Sequence, residues 1–245
     1  MIVLVLNLTL RQLLGQKRTL LLIGLGLVPI LAAVIFRFGD SNISALEFTA
    51  EFLLNALIVN ALLPLTALLL ATAAIGSEVE DGTIVYLLSK PVERWRIVAG
   101  KLTAAWGATL VIVLASAAVG GVVALAGEND WRILGGFVIA LAVGSLAYSS
   151  LFVLLSLLTS RALFAGLAYV FVWEFVITNF APGVQRFSIR EFTASIAEAI
   201  GNPSDLVFDA DLGTTYSVIA IVVVTVATAG LAVWRLSRFQ LQETV

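Results

Sequence analysis

Six apolar stretches of about twenty residues each run through this chain, at roughly 20–36, 52–75, 102–126, 133–158, 162–180 and 216–234. A helix needs roughly 20 such residues to cross a hydrocarbon layer of about 30 Å. The stretches are rich in Leu, Val and Ala and show no alternation of polar and apolar residues. That pattern favours helices over a barrel. The expected fold is an all-α membrane protein with six transmembrane helices in a single domain spanning 1–245. Composition excludes a soluble globule. Hydrophobic residues make up 60% of the chain and charged residues 12%, with a mean hydropathy of +1.06. An ordinary soluble domain carries about 25% charge, and a chain this short has too little interior to hide the apolar excess.

The same counts narrow the chemistry. The sequence has no His and no Cys, so the commonest general base, the commonest transition-metal ligand and any thiol nucleophile are missing. No metal, cofactor or catalytic residue is expected in the chain. The net charge of −2 gives no reason to expect nucleic acid as a partner.

Charge also sets orientation. With both ends on one side, that side holds Arg11, Lys17, Arg18, Lys90, Arg94, Arg96, Lys101, Arg161, Arg235 and Arg238, against Arg37, Arg132, Arg186 and Arg190 on the other. The bias places both termini in the cytoplasm of a multi-pass protein in a cell inner or plasma membrane. The opposite side is acidic, with Asp40, Glu47, Glu51, Glu128 and Asp130 among its charges. Residues 1–18 begin apolar, with no basic region ahead and no small-residue cleavage site behind, so a signal peptide is not expected. Asn7, Arg11 and Arg18 share one side of a helical wheel, as in a helix lying in the inner interface ahead of the first span.

The connections are unequal. The turns at 127–131 and 159–161 are short and force antiparallel neighbours. Two connections are long. The one at 76–101 carries an acidic cluster, Glu78, Glu80 and Asp81, and a basic one, Lys90, Arg94 and Arg96. Pro91 is expected to open the helix that follows, with Glu93 in its first turn. The second, at 181–215, contains the capping-box pattern Ser188-Ile-Arg-Glu191. Apolar residues then recur at helical spacing until Gly201-Asn-Pro203 ends the pattern. It predicts an amphipathic helix resting on the outer leaflet or capping the bundle. A further capping box, Ser44-Ala-Leu-Glu47, starts a second helix over 45–75, roughly 47 Å long at 1.5 Å per residue. Pro64 is expected to bend it.

Glu174 is the only ionisable residue well inside a predicted span. A carboxylate there costs several kcal/mol unless neutralised, hydrated or paired. Glu174, with Trp173 beside it, is a candidate for a gate or translocation path, or for a structural bond to a neighbouring helix. Asn55 and Asn60 are candidates for the same path or for helix–helix bonding. No phosphate-binding loop is present. The only Gly-Lys pair, Gly100-Lys101, is followed by Leu102, and Trp95 stands where the loop's first Gly is needed.

The segment Glu78-Val-Glu-Asp-Gly-Thr83, then Leu87-Leu-Ser-Lys-Pro91, then Arg94, Ile97 and Gly100-Lys101, resembles the signature of ABC type-2 exporter permeases. The span count, the interfacial N-terminal helix, the long outer loop and the basic tail extend the resemblance over essentially the whole chain. It implies a non-catalytic membrane subunit, a homodimer or a pair with a related permease, driven by two copies of a separate ATPase that hold ATP and Mg. The segment between spans two and three would be the coupling helix. On that analogy Glu78, Glu80, Asp81, Gly82, Thr83, Lys90, Pro91, Arg94 and Lys101 serve coupling, residues 1–18 form an elbow helix, and the helix near 189–200 matches external gate elements. The cargo suggested by apolar, aromatic-containing spans is amphipathic: a drug, peptide, lipid or lipid-linked sugar. The competing readings are a permease serving metalloenzyme maturation or surface-structure assembly, an ion-coupled secondary transporter, and a plain membrane anchor. The ion-coupled transporter fits less well because only one intramembrane charge and no convincing repeat occur, and the anchor because it would need no coupling segment.

Overall fold

A computed structural model describes residues 18–39, 43–80, 93–128, 131–180, 183–201 and 212–238. Among them the secondary structure is all helical. The helices are α1 (Arg18–Phe38), α2 (Ala45–Gly76), α3 (Arg94–Ala124), α4 (Arg132–Leu158), α5 (Ala162–Ile177), α6 (Ile189–Gly201) and α7 (Thr214–Ser237). Five of them, α1 to α4 and α7, are long and apolar enough to cross a bilayer. The fifth expected span, α5, is a shorter apolar helix, prolonged by Thr178–Phe180. The interfacial helix expected at the N-terminus falls on residues 1–17, outside the described residues.

Local chemistry accounts for the starts. Ser44 is extended at φ −66° and ψ 149°, and its Oγ accepts the Glu47 N–H at 3.2 Å, the first half of the expected capping box. Helix α3 begins at Arg94 with Glu93 as its N-cap, three residues later than the expected opening at Pro91. Pro91 itself lies outside the described residues. In α2 the winding is wide over Phe48–Leu62, where the Leu63 N–H reaches back five residues to the Ile58 carbonyl. It tightens to α-helical winding at Leu63–Ala71, with Pro64 in the first turn. Pro64 therefore marks a change of winding, at the place where its missing N–H costs least.

The core is organised around α4, which packs against α2, α3, α5, α6 and α7. Polar cross-ties are few and specific. Ser116 donates to the Gly26 carbonyl at 2.7 Å, Trp106 Nε1 to the Ala142 carbonyl at 3.0 Å, and Ser150 meets Thr228 at 2.8 Å. Helices α1 and α7 lie at the periphery and expose most of their apolar surface, as suits a lipid-facing helix.

Helix α6 forms over nearly the expected residues, but it lies along the flank of α4 instead of across the end of the bundle. The cause is a pair of glycines on α4. A Cβ at Gly136 would stand 2.5 Å from the Gly201 N and 2.6 Å from the Ala197 carbonyl. One at Gly144 would stand 2.5 Å from Thr193 Oγ1. Only residues without a side chain permit that approach. The two glycines are about 12 Å apart along α4, so α6 runs antiparallel to α4 over that distance. Its buried face is Ile189, Phe192, Thr193, Ile196 and Ala197.

Candidate functional site

Lys101 and Glu174, both buried, each organise a cluster of polar contacts in the bundle. At the basic end, α2 runs out at Gly76 and continues as Ser77–Glu80, while α3 returns from Arg94. Lys101, about two turns inside α3, is only 2% exposed. Its Nζ donates to the Ala74 carbonyl at 2.5 Å and to Glu78 Oε1 at 2.7 Å. The Ala74 carbonyl lies six residues before the end of the described helical run at Glu80, within reach of the buried ammonium, and the Glu78 carboxylate closes the shell. The result is a clasp joining the two roots of the 81–92 segment, 27 residues apart in sequence.

The remaining coupling candidates divide. Asp81, Gly82, Thr83, Lys90 and Pro91 lie outside the described residues. Glu80 ends the short helix after Gly76. Arg94, half-buried, opens α3 beside a surface cluster in which Glu93 Oε2 accepts from Arg96 Nε at 2.6 Å and from Trp95 Nε1 at 3.1 Å. The Arg96 guanidinium also lies 5.4 Å from the Trp95 ring centre. The described members Glu78 and Lys101 thus meet each other, at the root of the segment.

The second such residue is Glu174, 1% exposed on α5. It is no isolated carboxylate. Oε2 accepts from Ser188 Oγ at 2.5 Å, and Oε1 from Tyr169 OH at 2.9 Å and from the Ile189 N–H at 3.2 Å. Its own carbonyl accepts from Thr178 Oγ1. Ser188 Oγ in turn accepts the Glu191 N–H at 3.2 Å. Ser188 and Glu174 together therefore cap the N-terminus of α6. Tyr148 of α4 is fully buried and faces the same carboxylate, its hydroxyl outside hydrogen-bond geometry. Tyr148 sits ten residues, about 15 Å, from the Leu158 end of α4. The start of α6 is thus held near mid-depth, where no water is at hand for its free N–H groups. A carboxylate is the acceptor that best suits the positive end of the dipole.

Arg190 joins this cluster. The sequence counts it among solvent-side loop charges, yet it is 8% exposed and pairs with Glu191 Oε1 at 2.5 Å. Tyr148, Tyr169, Ser188 and Arg190 are not marked by sequence reasoning as partners of Glu174. Only the aromatic at 169, five residues before the carboxylate, gives a local signal. Trp173 is half-buried and makes no part of the cap. Asn55 and Asn60 lie on the wide-wound part of α2, whose five-residue hydrogen bonds bring them to one side of the helix. The Asn60 Oδ1 is buried without a hydrogen bond among the described residues. No group of three or more metal-ligating side chains occurs among the described residues.

A family model described as ABC-2 family transporter protein matches residues 14–241. No curated protein matches the chain closely.

Proposed function

The chain belongs to the ABC-2 transporter family and is a multi-pass membrane protein, and from that premise we propose that it is the permease subunit of an ATP-driven exporter of amphipathic compounds. Separate ATPase subunits, two to a complex with two copies of this chain or a related one, bind the ATP and Mg. They dock on the cytoplasmic segment 76–101. Six crossings are completed by α5, whose shortness is offset by the inserted α6.

The observation that carries this reading is the Lys101 clasp. A loop pushed by a partner moves the bundle only if its roots do not absorb the displacement. Here the Ala74 carbonyl, Glu78 and Lys101 fasten the end of α2 to the start of α3. Both helices pack along α4, so a push on the segment passes to the core as a rigid-body motion. Helix α6, hung on Glu174 at its inner end and packed along α4, is the element assigned to the external gate. Closure of the ATPases would then shift the population between two seatings of α6.

The test is co-purification of the permease with its ATPase. Arg94→Glu reverses a charge on the docking side, and about a tenfold loss of ATPase retention is expected, with membrane insertion intact. Unchanged retention would refute the docking role.

A further inference from the structure

The outer ends of α1 and α2 enclose a groove of about 610 Å³ that belongs to neither clasp. Its wall is aromatic. Phe36 of α1 stacks on Phe48 of α2 with ring centres 3.8 Å apart and planes within 5°, and Phe52 follows one turn on, 5.4 Å from Phe48. Ala32 leaves the floor open. Two carboxylates, Glu47 and Glu51, line the same groove. They stand four residues apart on one helix face, where like charges repel. Neither takes part in an ion pair among the described residues. The Ser44 cap engages the Glu47 backbone N–H and leaves that side chain unused.

We propose that this groove binds a lipophilic cation, an apolar chain or ring system carrying one positive charge, with the charge between Glu47 and Glu51 and the apolar part along Phe36, Phe48 and Phe52. The chemistry is complementary on both counts. A cation relieves the repulsion of the paired carboxylates, and ring faces attract it further. The apolar volume suits a small amphiphile. Position agrees with this assignment. Helix α2 is longer than the hydrocarbon is thick, so its first two turns stand at headgroup level, where an amphiphile arrives with its charge outward. The proposal deepens the transport reading by naming a cargo class, and it is tested by binding alone, without ATP or the ATPase. Failure of binding leaves the permease assignment standing.

The experiment uses the full chain in phosphatidylcholine nanodiscs at low salt, with radiolabelled dodecyltrimethylammonium as probe and octaethylene glycol dodecyl ether as its uncharged counterpart. Saturable binding of the cation is expected. E47Q/E51Q should weaken it about tenfold, the effect of losing two partly screened charge contacts, and leave the uncharged probe unaffected. A32W should weaken both probes by filling the floor. Equal binding of both probes to the wild type, or no loss in E47Q/E51Q, would overturn the proposal in favour of a groove filled by lipid chains. Disulfide capture between copies carrying Ile43→Cys, with no probe bound, would overturn it in favour of an interface between two copies. The native chain has no Cys, so the capture has no background.

Discussion

Lys101 and Glu174 are both ionisable side chains buried in an apolar bundle, and they hold different elements by different means. Lys101 donates hydrogen bonds to the Ala74 carbonyl of α2 and to Glu78. Glu174 receives the first N–H of α6 together with two hydroxyls. The basic clasp ties helices on either side of the segment at 81–92, and the acidic one hangs a helix of the 181–215 connection inside the bundle. Glu174 lies where α6 starts inside protein and would leave N–H groups that lipid cannot satisfy, whereas Lys101 ties one helix to the next across a turn still helical at Glu78. The two differ in what they leave behind when removed: an anion and a carbonyl in one case, neutral donors in the other.

That difference orders the expected effects of mutation. Lys101→Met should be the most damaging, because it strands the partly buried Glu78 carboxylate and removes a donor from the Ala74 carbonyl. A loss of ~3–5 kcal/mol is expected, read as a lowered midpoint of thermal unfolding in detergent. A cost no greater than that of Glu174→Ala would break the comparison. Glu174→Ala should come next. It leaves Ser188, Tyr169 and the Ile189 N–H without their acceptor, at about 2–3 kcal/mol, and should raise hydrogen exchange at the start of α6. Glu174→Gln should recover about half of that loss, since one acceptor oxygen remains; no recovery would mean that charge, not acceptance, holds α6. Glu174→Ala should also lower substrate-stimulated ATP hydrolysis, and unchanged hydrolysis with unchanged transport would make the cap purely structural. Smallest is Glu93→Gln. Its pair with Arg96 has side chains 60% and 43% exposed, so less than about 0.5 kcal/mol is expected. A larger loss would show that the surface cluster, and not the buried clasp, braces the start of α3.

The sequence is informative where the signal is local. The helix over 45–76 follows from hydropathy and from the Ser44 cap, and hydropathy also marks the shorter apolar helix Ala162–Ile177. Lys101 stands out as part of a motif, and Glu174 as a lone charge in oil. What the sequence conceals is the partner in each case. The Ala74 carbonyl is a backbone atom with no residue-type signal. The donors to Glu174 become neighbours only after α6 folds back along α4. That return is set by Gly136 and Gly144, which read in sequence as generic small residues. Arg190 is misjudged for the same reason, since its place beside Ser188 looks like a loop until the helix is inserted. Tyr148 looks like any core aromatic.

The central claim is that force enters at 76–101 and travels through the Lys101 clasp. Because the native chain lacks Cys, a single Cys at Arg94 and a control at Glu128, both carrying a short photo-crosslinker, test it in membranes containing the ATPase. The account predicts a covalent adduct with the ATPase from position 94 and none from 128, and loss of ATP-dependent transport, with the adduct retained, once Lys101→Met is added. An ATPase that co-purifies but never crosslinks from position 94, or transport that survives Lys101→Met undiminished, would contradict it.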